Sequence, residues 1–282
     1  MYGFANAPLY KASDKYEYIC EPNQDMMRFG SHVHYNSYSQ RSEEPDTTKV
    51  RILGLGDSVI YGGVQIDQDD IATSLFTAET GMQMLNISAG SWRPDNCAAY
   101  IKEQGLFGAK AMFLVVSSHD AHDNMDFQPT VGVHPSYSDH NYWCAYAELF
   151  DRYLIPRLFP SLKKKALDPD QQVLNAMSKD GTGIHKNGKL FNPGFDELKT
   201  IADSANIPLI VYLHADAQEL ANQQYDAQGN EIIAWAKANH VKLVNELEYH
   251  FVKNDYRDGI HLNKKGQRRL ADIMKRVFKN II

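Results

Sequence analysis

The sequence predicts an α/β fold, with one doubly wound domain built on a five-stranded parallel sheet. Three observations carry this expectation. Short apolar runs bounded by turn residues recur at 50–55, 82–88, 110–117, 208–213 and 241–244. Segments with helical spacing separate most of them, the pattern of βαβ units with right-handed crossovers. The run Lys110–Ser117 is almost wholly apolar, as a strand covered on both faces should be.

Taken in order, residues 1–49 are polar, rich in aromatics and weakly periodic. Tyr16–Pro22 and His32–Ser37 read as edge strands or as an extended arm laid over the main domain, not as a separate domain. The segment holds too many tyrosines for a disordered tail. The main domain is 50–282. Its first strand stops at Gly56, followed by Asp57 and Ser58. Asp70–Gly81 then shows helical spacing, with Ile71, Leu75 and Ala78 on one face and a glycine at its end. Met82–Ser88 is the next strand and runs into Ala89, Gly90 and Ser91. Asn96–Phe107 is a second helix, and Lys110–Ser117 the third strand.

Residues 119–190 break this rhythm. Tyr142–Phe159 has helical spacing, Lys163–Lys165 reads as a solvated face, and Asp180–Lys189 has the turn chemistry of a loop or hairpin. We read about 124–190 as an insertion at the cleft mouth, the kind of segment that sets substrate choice. The sheet then resumes with a helix at Phe195–Ala205, a strand at Pro208–Leu213, a helix at Glu231–Asn239 and a short strand at Val241–Val244. Asn263 caps a closing helix whose apolar face is Leu270, Ile273, Met274, Val277, Phe278 and Ile281.

Composition excludes several classes of protein. At 282 residues and 43% hydrophobic content the chain can bury a substantial core. A net charge of −6 offers no electrostatic case for a nucleic-acid partner. Cys20, Cys97 and Cys144 are odd in number and unpatterned, so neither a disulfide framework nor a zinc site is indicated. No apolar run of about 18 residues reads as a membrane span, and the N-terminus has no secretory-signal pattern. Compartment and oligomeric state stay open.

Ser58 follows a strand at its carboxyl end, where open α/β sheets hold their ligands. Alone it would be only a turn or helix-capping residue. Asp258 and His261, just before the last helix, give it a partner. A carboxylate three residues from an imidazole can fix the ring's tautomer and leave the other nitrogen for Ser58. That spacing is common by chance, and it gains specificity only in combination with Gly56, Asp57 and Ser58.

On these residues the chain resembles the SGNH hydrolases, the GDSL esterase and lipase family. Gly56-Asp57-Ser58 is similar to the first family block, Gly90 to the second, and Asp258-Gly259-Ile260-His261 to the last. The resemblance spans roughly residues 48–282 and implies a flavodoxin-like three-layer α/β/α sandwich with strand order 2-1-3-4-5, the SGNH hydrolase fold. It also implies Ser58 as nucleophile, His261 as general base and then acid, and Asp258 as the residue that orients it. The oxyanion donors would be the N–H groups of Ser58 and Gly90. Ester cleavage would then run through an acyl-enzyme, with no metal or organic cofactor.

One block departs from the family pattern. Where the family has Gly-x-Asn-Asp, this chain has Ser117-Ser118-His119-Asp120, so His119 stands in place of the asparagine amide. An imidazole N–H donates there only in the right tautomer or when protonated. A lost oxyanion donor costs about 10²–10³ in turnover. Asn124 is an alternative source of the amide. In the N-terminal segment, Glu21–Gln24, Arg28–Gly30 and Asn36–Arg41 resemble members associated with bacterial cell-surface polysaccharides. This implies O-acyl groups on glycans, such as O-acetyl, as substrate.

Rival readings attach to particular residues. His119, Asp120, His122 and Asp123 carry donors for a divalent metal, as in metal-dependent phosphohydrolases, although no further ligand cluster supports them. The His119 departure motivates a second rival, an SGNH-fold protein that binds a glycan with little catalysis. Attack by a sugar hydroxyl in place of water would make the protein an O-acetyltransferase. Asp57, Trp92, Asn124 and His214 are candidates for the cleft wall. Asp57 also reads as a turn-holding residue and His214 as a hydrogen-bonded core residue, while Trp92, Trp143 and Tyr142 either stack on sugar or pack in the core.

Overall fold

The computed structural model describes residues 7–134, 136–158, 188 and 190–279. Two antiparallel hairpins come first: β1 (Tyr10–Ser13) pairs with β2 (Glu17–Cys20), and β3 (Gln24–Arg28) with β4 (Ser31–Tyr35). The main sheet follows, from β5 (Arg51–Gly56), β6 (Gln83–Ser88), β7 (Ala111–Ser117), β8 (Leu209–His214) and β9 (Lys242–Asn245). Its spatial order is β6-β5-β7-β8-β9 with every pair parallel, the expected 2-1-3-4-5 arrangement.

The two-residue side-chain period of these strands sorts the core into two halves. Leu53, Leu55, Leu85, Ile87, Met112, Leu114 and Leu213 cluster with residues of the helices Pro94–Gln104, Gly194–Ser204 and Ala227–Ala238. The alternate residues Ile52, Met84, Phe113, Val115, Ile210 and Tyr212 cluster with the helices Ala72–Thr80 and Lys264–Phe278. Helices therefore cover both faces, giving three layers. The last helix follows the predicted pattern: Asn263 accepts from the N–H groups of Lys265 and Gly266 at 2.9 and 3.1 Å. Its Leu270, Ile273, Met274, Val277 and Phe278 are all buried, each contributing roughly 1.5–3 kcal/mol of apolar burial. Ile281 lies outside the described residues.

Several boundaries differ from expectation, each for a local reason. The helix expected from Asn96 starts at Pro94, because proline suits a first turn whose N–H groups have no partner. The helix expected from Glu231 starts at Ala227, because the Asp226 carboxylate accepts from the Gly229 N–H at 2.9 Å and caps it. A helix at Ala217–Asn222 was not anticipated. It is too short for periodicity to reveal, and only the capping box of Asp216 and Glu219 marks it. The helical stretch at 142–159 divides into Ala145–Leu149, a π-helical turn at Phe150–Leu154 and Ile155–Leu158. Lys163–Lys165 and, apart from Gly188, the loop Asp180–Lys189 lie outside the described residues. No described helix is long and apolar enough to cross a membrane.

Candidate active site

The site begins at the end of β5. Gly56 has φ of 148°, and a Cβ there would stand 2.5 Å from the Val115 carbonyl oxygen, so only glycine lets the strand turn beside β7. Asp57 then caps a short helix, Ser58–Tyr61, its carboxylate accepting from the Val59 N–H at 2.9 Å. Ser58 is the first residue of that helix, so its N–H has no carbonyl four residues back to bond.

His261 arrives from the loop before the last helix, 203 residues along the chain from Ser58, and its Nε2 lies 2.9 Å from Ser58 Oγ. Its Nδ1 lies 2.8 Å from Asp258 Oδ2. The other Asp258 oxygen accepts from the N–H groups of Ile260 and His261 at 3.0 and 2.7 Å. Burial pushes the Asp258 carboxyl up, but the hydrogen bond and charge of His261 and these two amides outweigh it. The result holds the carboxyl well below the usual range, ionised at neutral pH. An ionised carboxylate accepts only, so Nδ1 carries a proton toward Asp258, and in the neutral tautomer this leaves Nε2 to accept from the serine hydroxyl.

Behind His261 sits a second, wholly buried histidine. His214 ends β8, and its Nδ1 lies 2.6 Å from Glu246 Oε2 while its Nε2 lies 2.7 Å from the Ile260 carbonyl. Burial alone would lower its pKa; Glu246 and the Ile260 carbonyl raise it to about 9. The imidazolium donates from both nitrogens. Tyr212 and Tyr256 donate to the same carboxylate. His214 therefore does not line a cleft; it is a core residue that grips the backbone next to His261.

His119 is partly exposed, its side chain at 30%, and follows β7 in a 3₁₀ turn at Ser118–Ala121. Partial burial of the ring and the nearby Arg93 charge lower its pKa below the ordinary value, which favours the uncharged form. Arg93 is buried just before the helix Pro94–Gln104. Its Nη2 and Nε bond Asp123 Oδ2 at 2.7 and 2.9 Å, and Nε lies 3.2 Å from Asp120 Oδ1. Burial works against the Arg93 charge, but Asp123, Asp120 and Asp57 more than offset this and hold it cationic.

The four residues weighed for a metal do not converge. His122 turns to Glu231 at 2.7 Å, and Asp123 is held by Arg93. Among the described residues, one group brings three metal-type donors within 4.8 Å of one another: Asp57, His119 and Asp120. The Arg93 guanidinium already serves these carboxylates as a counter-charge.

The other cleft candidates are placed as follows. Trp92 is fully buried and its indole N–H donates to the Tyr18 carbonyl at 2.7 Å, so it packs in the core and cannot stack on a sugar. Trp143, by contrast, is 88% exposed and is no core residue. Asn124 is half-buried, and its amide donates to the Leu190 carbonyl at 3.4 Å. Gly90 sits in a turn closed by the Trp92 N–H on the Ala89 carbonyl at 3.3 Å. Sequence reasoning missed Arg93 and Glu246. Nothing in their local context marks them, since each gains its role from residues far along the chain.

No protein-family model matches the chain, and no curated protein matches it in sequence. Its structure is similar to several solved ones. A member of the lipolytic protein G-D-S-L family from Veillonella parvula is 10% identical, with 82% of this chain and 99% of that one covered at a TM-score of 0.41. Est24, a carbohydrate acetylesterase from Sinorhizobium meliloti, is 12% identical over 83% of this chain and 100% of its own, with a TM-score of 0.43. LAE5, an alpha/beta hydrolase enzyme from the metagenome of Lake Arreo, is 11% identical over 83% and 96%, with a TM-score of 0.41. At such identities and scores these are likenesses only, and the chemistry of the site rests on its own geometry.

Proposed function

We propose that this protein is a serine esterase of the SGNH type. The observation that carries the reading is the continuous hydrogen-bonded line from Ser58 Oγ through His261 to Asp258, at 2.9 and 2.8 Å. In this reading Ser58 attacks the acyl carbon while His261 Nε2 takes its proton. Asp258 stabilises the imidazolium that forms. The oxyanion is held by the N–H groups of Ser58 and Gly90, with a proton on a ring nitrogen of His119 in the place of an amide. His261 then protonates the leaving alcohol, and water, activated by the same ring, releases the acid from the acyl-enzyme. The substrate we propose is an O-acyl group on a carbohydrate, drawn from the likeness of the N-terminal segment to proteins associated with cell-surface polysaccharides. A sugar hydroxyl in place of water in the second step would give transfer instead of hydrolysis.

Hydrolysis of p-nitrophenyl acetate and of acetylated glycans, by the protein and its Ser58→Ala variant with and without EDTA, tests this. The expected outcome is turnover that EDTA leaves unchanged and that falls about 10⁴-fold or more in the variant. Activity that survives the substitution and is lost to chelator would replace the serine reading with a metal site at Asp57, His119 and Asp120.

A further inference from the structure

The Gly90 turn is gripped from outside the main sheet. Tyr18, on β2, donates its hydroxyl to the Gly90 carbonyl at 3.0 Å, and Tyr137, after β7, donates to the same oxygen at 2.9 Å. The two rings pack edge to face with centroids 4.8 Å apart. Tyr18 also holds the far end of the turn, because its backbone carbonyl accepts the Trp92 indole N–H at 2.7 Å. The two segments are joined directly, the Tyr10 N–H donating to the Ser138 carbonyl at 2.7 Å. Within the turn Ser91 has φ of 59°, a left-handed conformation that residues other than glycine, asparagine and aspartate seldom adopt. The central peptide of such a turn can flip with little displacement of its ends, and its carbonyl is that of Gly90. Two hydroxyls on that oxygen hold it in one orientation. Tyr137 Oη would also lie 3.2 Å from a Cβ on Gly90, so it packs directly against the glycine.

We infer that Tyr18 and Tyr137 are positioning residues for the oxyanion site: the flip they resist would swing the Gly90 carbonyl and the Ser91 N–H, and by anchoring that carbonyl they hold Gly90 itself, and with it the N–H of the preceding peptide, in place for the developing charge. The inference rests on the esterase reading, since it is the oxyanion role of Gly90 that gives the clamp a consequence. It assigns the first hairpin a part in the chemistry although none of its side chains touches Ser58, His261 or Asp258 among the described contacts. Catalysis by a fixed donor depends on that donor being in place before the charge develops.

The test uses Tyr18→Phe, Tyr137→Phe and the double variant, each of which removes a hydroxyl and keeps the ring. Two rates are read: turnover of p-nitrophenyl acetate, and labelling of Ser58 by a fluorophosphonate, whose phosphoryl oxygen also develops charge. Single variants should lose about tenfold in kcat with KM nearly constant, and the double variant about a hundredfold, the lower end of the range for outright loss of a donor. Labelling should slow in step, and the near-ultraviolet circular dichroism should stay native. A folded double variant with kcat and labelling within about twofold of the parent overturns the positioning role and leaves the esterase reading intact. If the double variant does not fold, the single variants decide by the same threshold. If the parent itself neither turns over ester nor labels at Ser58, the esterase reading falls and the positioning role with it.

Discussion

At the scale of single residues, the departure at His119 makes the sharpest claim. In the esterase reading proposed above, the His119 ring donates to the oxyanion from one nitrogen, in the role an asparagine amide would fill. His119→Ala should lower kcat for ester hydrolysis by about 10²–10³ while KM changes little, because the lost bond is made only in the transition state. His119→Asn should keep much more activity than His119→Ala. Steady-state kinetics on the three proteins check this, and equal activity of parent and alanine variant would remove His119 from the site. Ser58 and Asp258 could be singled out as candidates because of their neighbours in sequence: a glycine that ends the strand just before Ser58, and a histidine three residues after Asp258. Arg93 was not legible. A buried arginine is tolerated only because Asp120 and Asp123 reach it from the turn after β7, and nothing at 93 foretells that.

At the scale of elements, the end of β8 is tied to the loop that carries His261. The His214–Glu246 pair bonds the Ile260 carbonyl, and the Ala217 N–H bonds the Gly259 carbonyl at 2.8 Å. This link has a pH signature. The folded-state pKa of His214 is raised to about 9 from an ordinary value of 6.5. Such a group contributes stability that is fully present below about 6.5 and is lost as pH rises through about 9, because the folded state binds the proton more tightly. His214→Gln keeps an amide near the Ile260 carbonyl but cannot titrate. Thermal unfolding from pH 6 to pH 10 should show the parent's melting temperature falling more steeply than the variant's, the two curves converging toward alkaline pH. Parallel curves would mean that the pair holds no proton in this range. The sequence marked His214 as a strand-end histidine, but whether it faced a cleft or the core depended on Glu246, which lies 32 residues away.

At the scale of the whole molecule, the two hairpins and the segment after them are built into the domain. Arg41 is fully buried and donates to the carbonyls of Tyr61, Gly63 and Ile66 at 2.6, 2.6 and 2.7 Å, and to Gln68 at 3.3 Å. It thereby organises the loop that follows the Ser58 helix. Arg41→Met fills much of the space but leaves the buried Tyr61 and Ile66 carbonyls, and the part-buried Gly63 carbonyl, without their donor, each buried one costing about 1–3 kcal/mol. Urea unfolding should show a loss of several kcal/mol. A variant as stable as the parent would show that water satisfies those carbonyls.

The five strands of the main sheet, their order of appearance, the cap at Asn263, the turn-holding role of Asp57 and the pairing of Asp258 with His261 were open to a reader of the chain alone. All of them depend on residues within a few positions of one another: a two-residue alternation, a carboxylate beside free N–H groups, a glycine at a forced turn. What needed the folded chain was the fate of its buried polar groups. Whether Trp92 stacks on a ligand or packs in the core, which carboxylates share Arg93, and which hydroxyls hold the Gly90 carbonyl are settled by contacts between residues tens of positions apart. A polar group is buried only where distant partners satisfy it, and those partners are neighbours only once the sheet has formed.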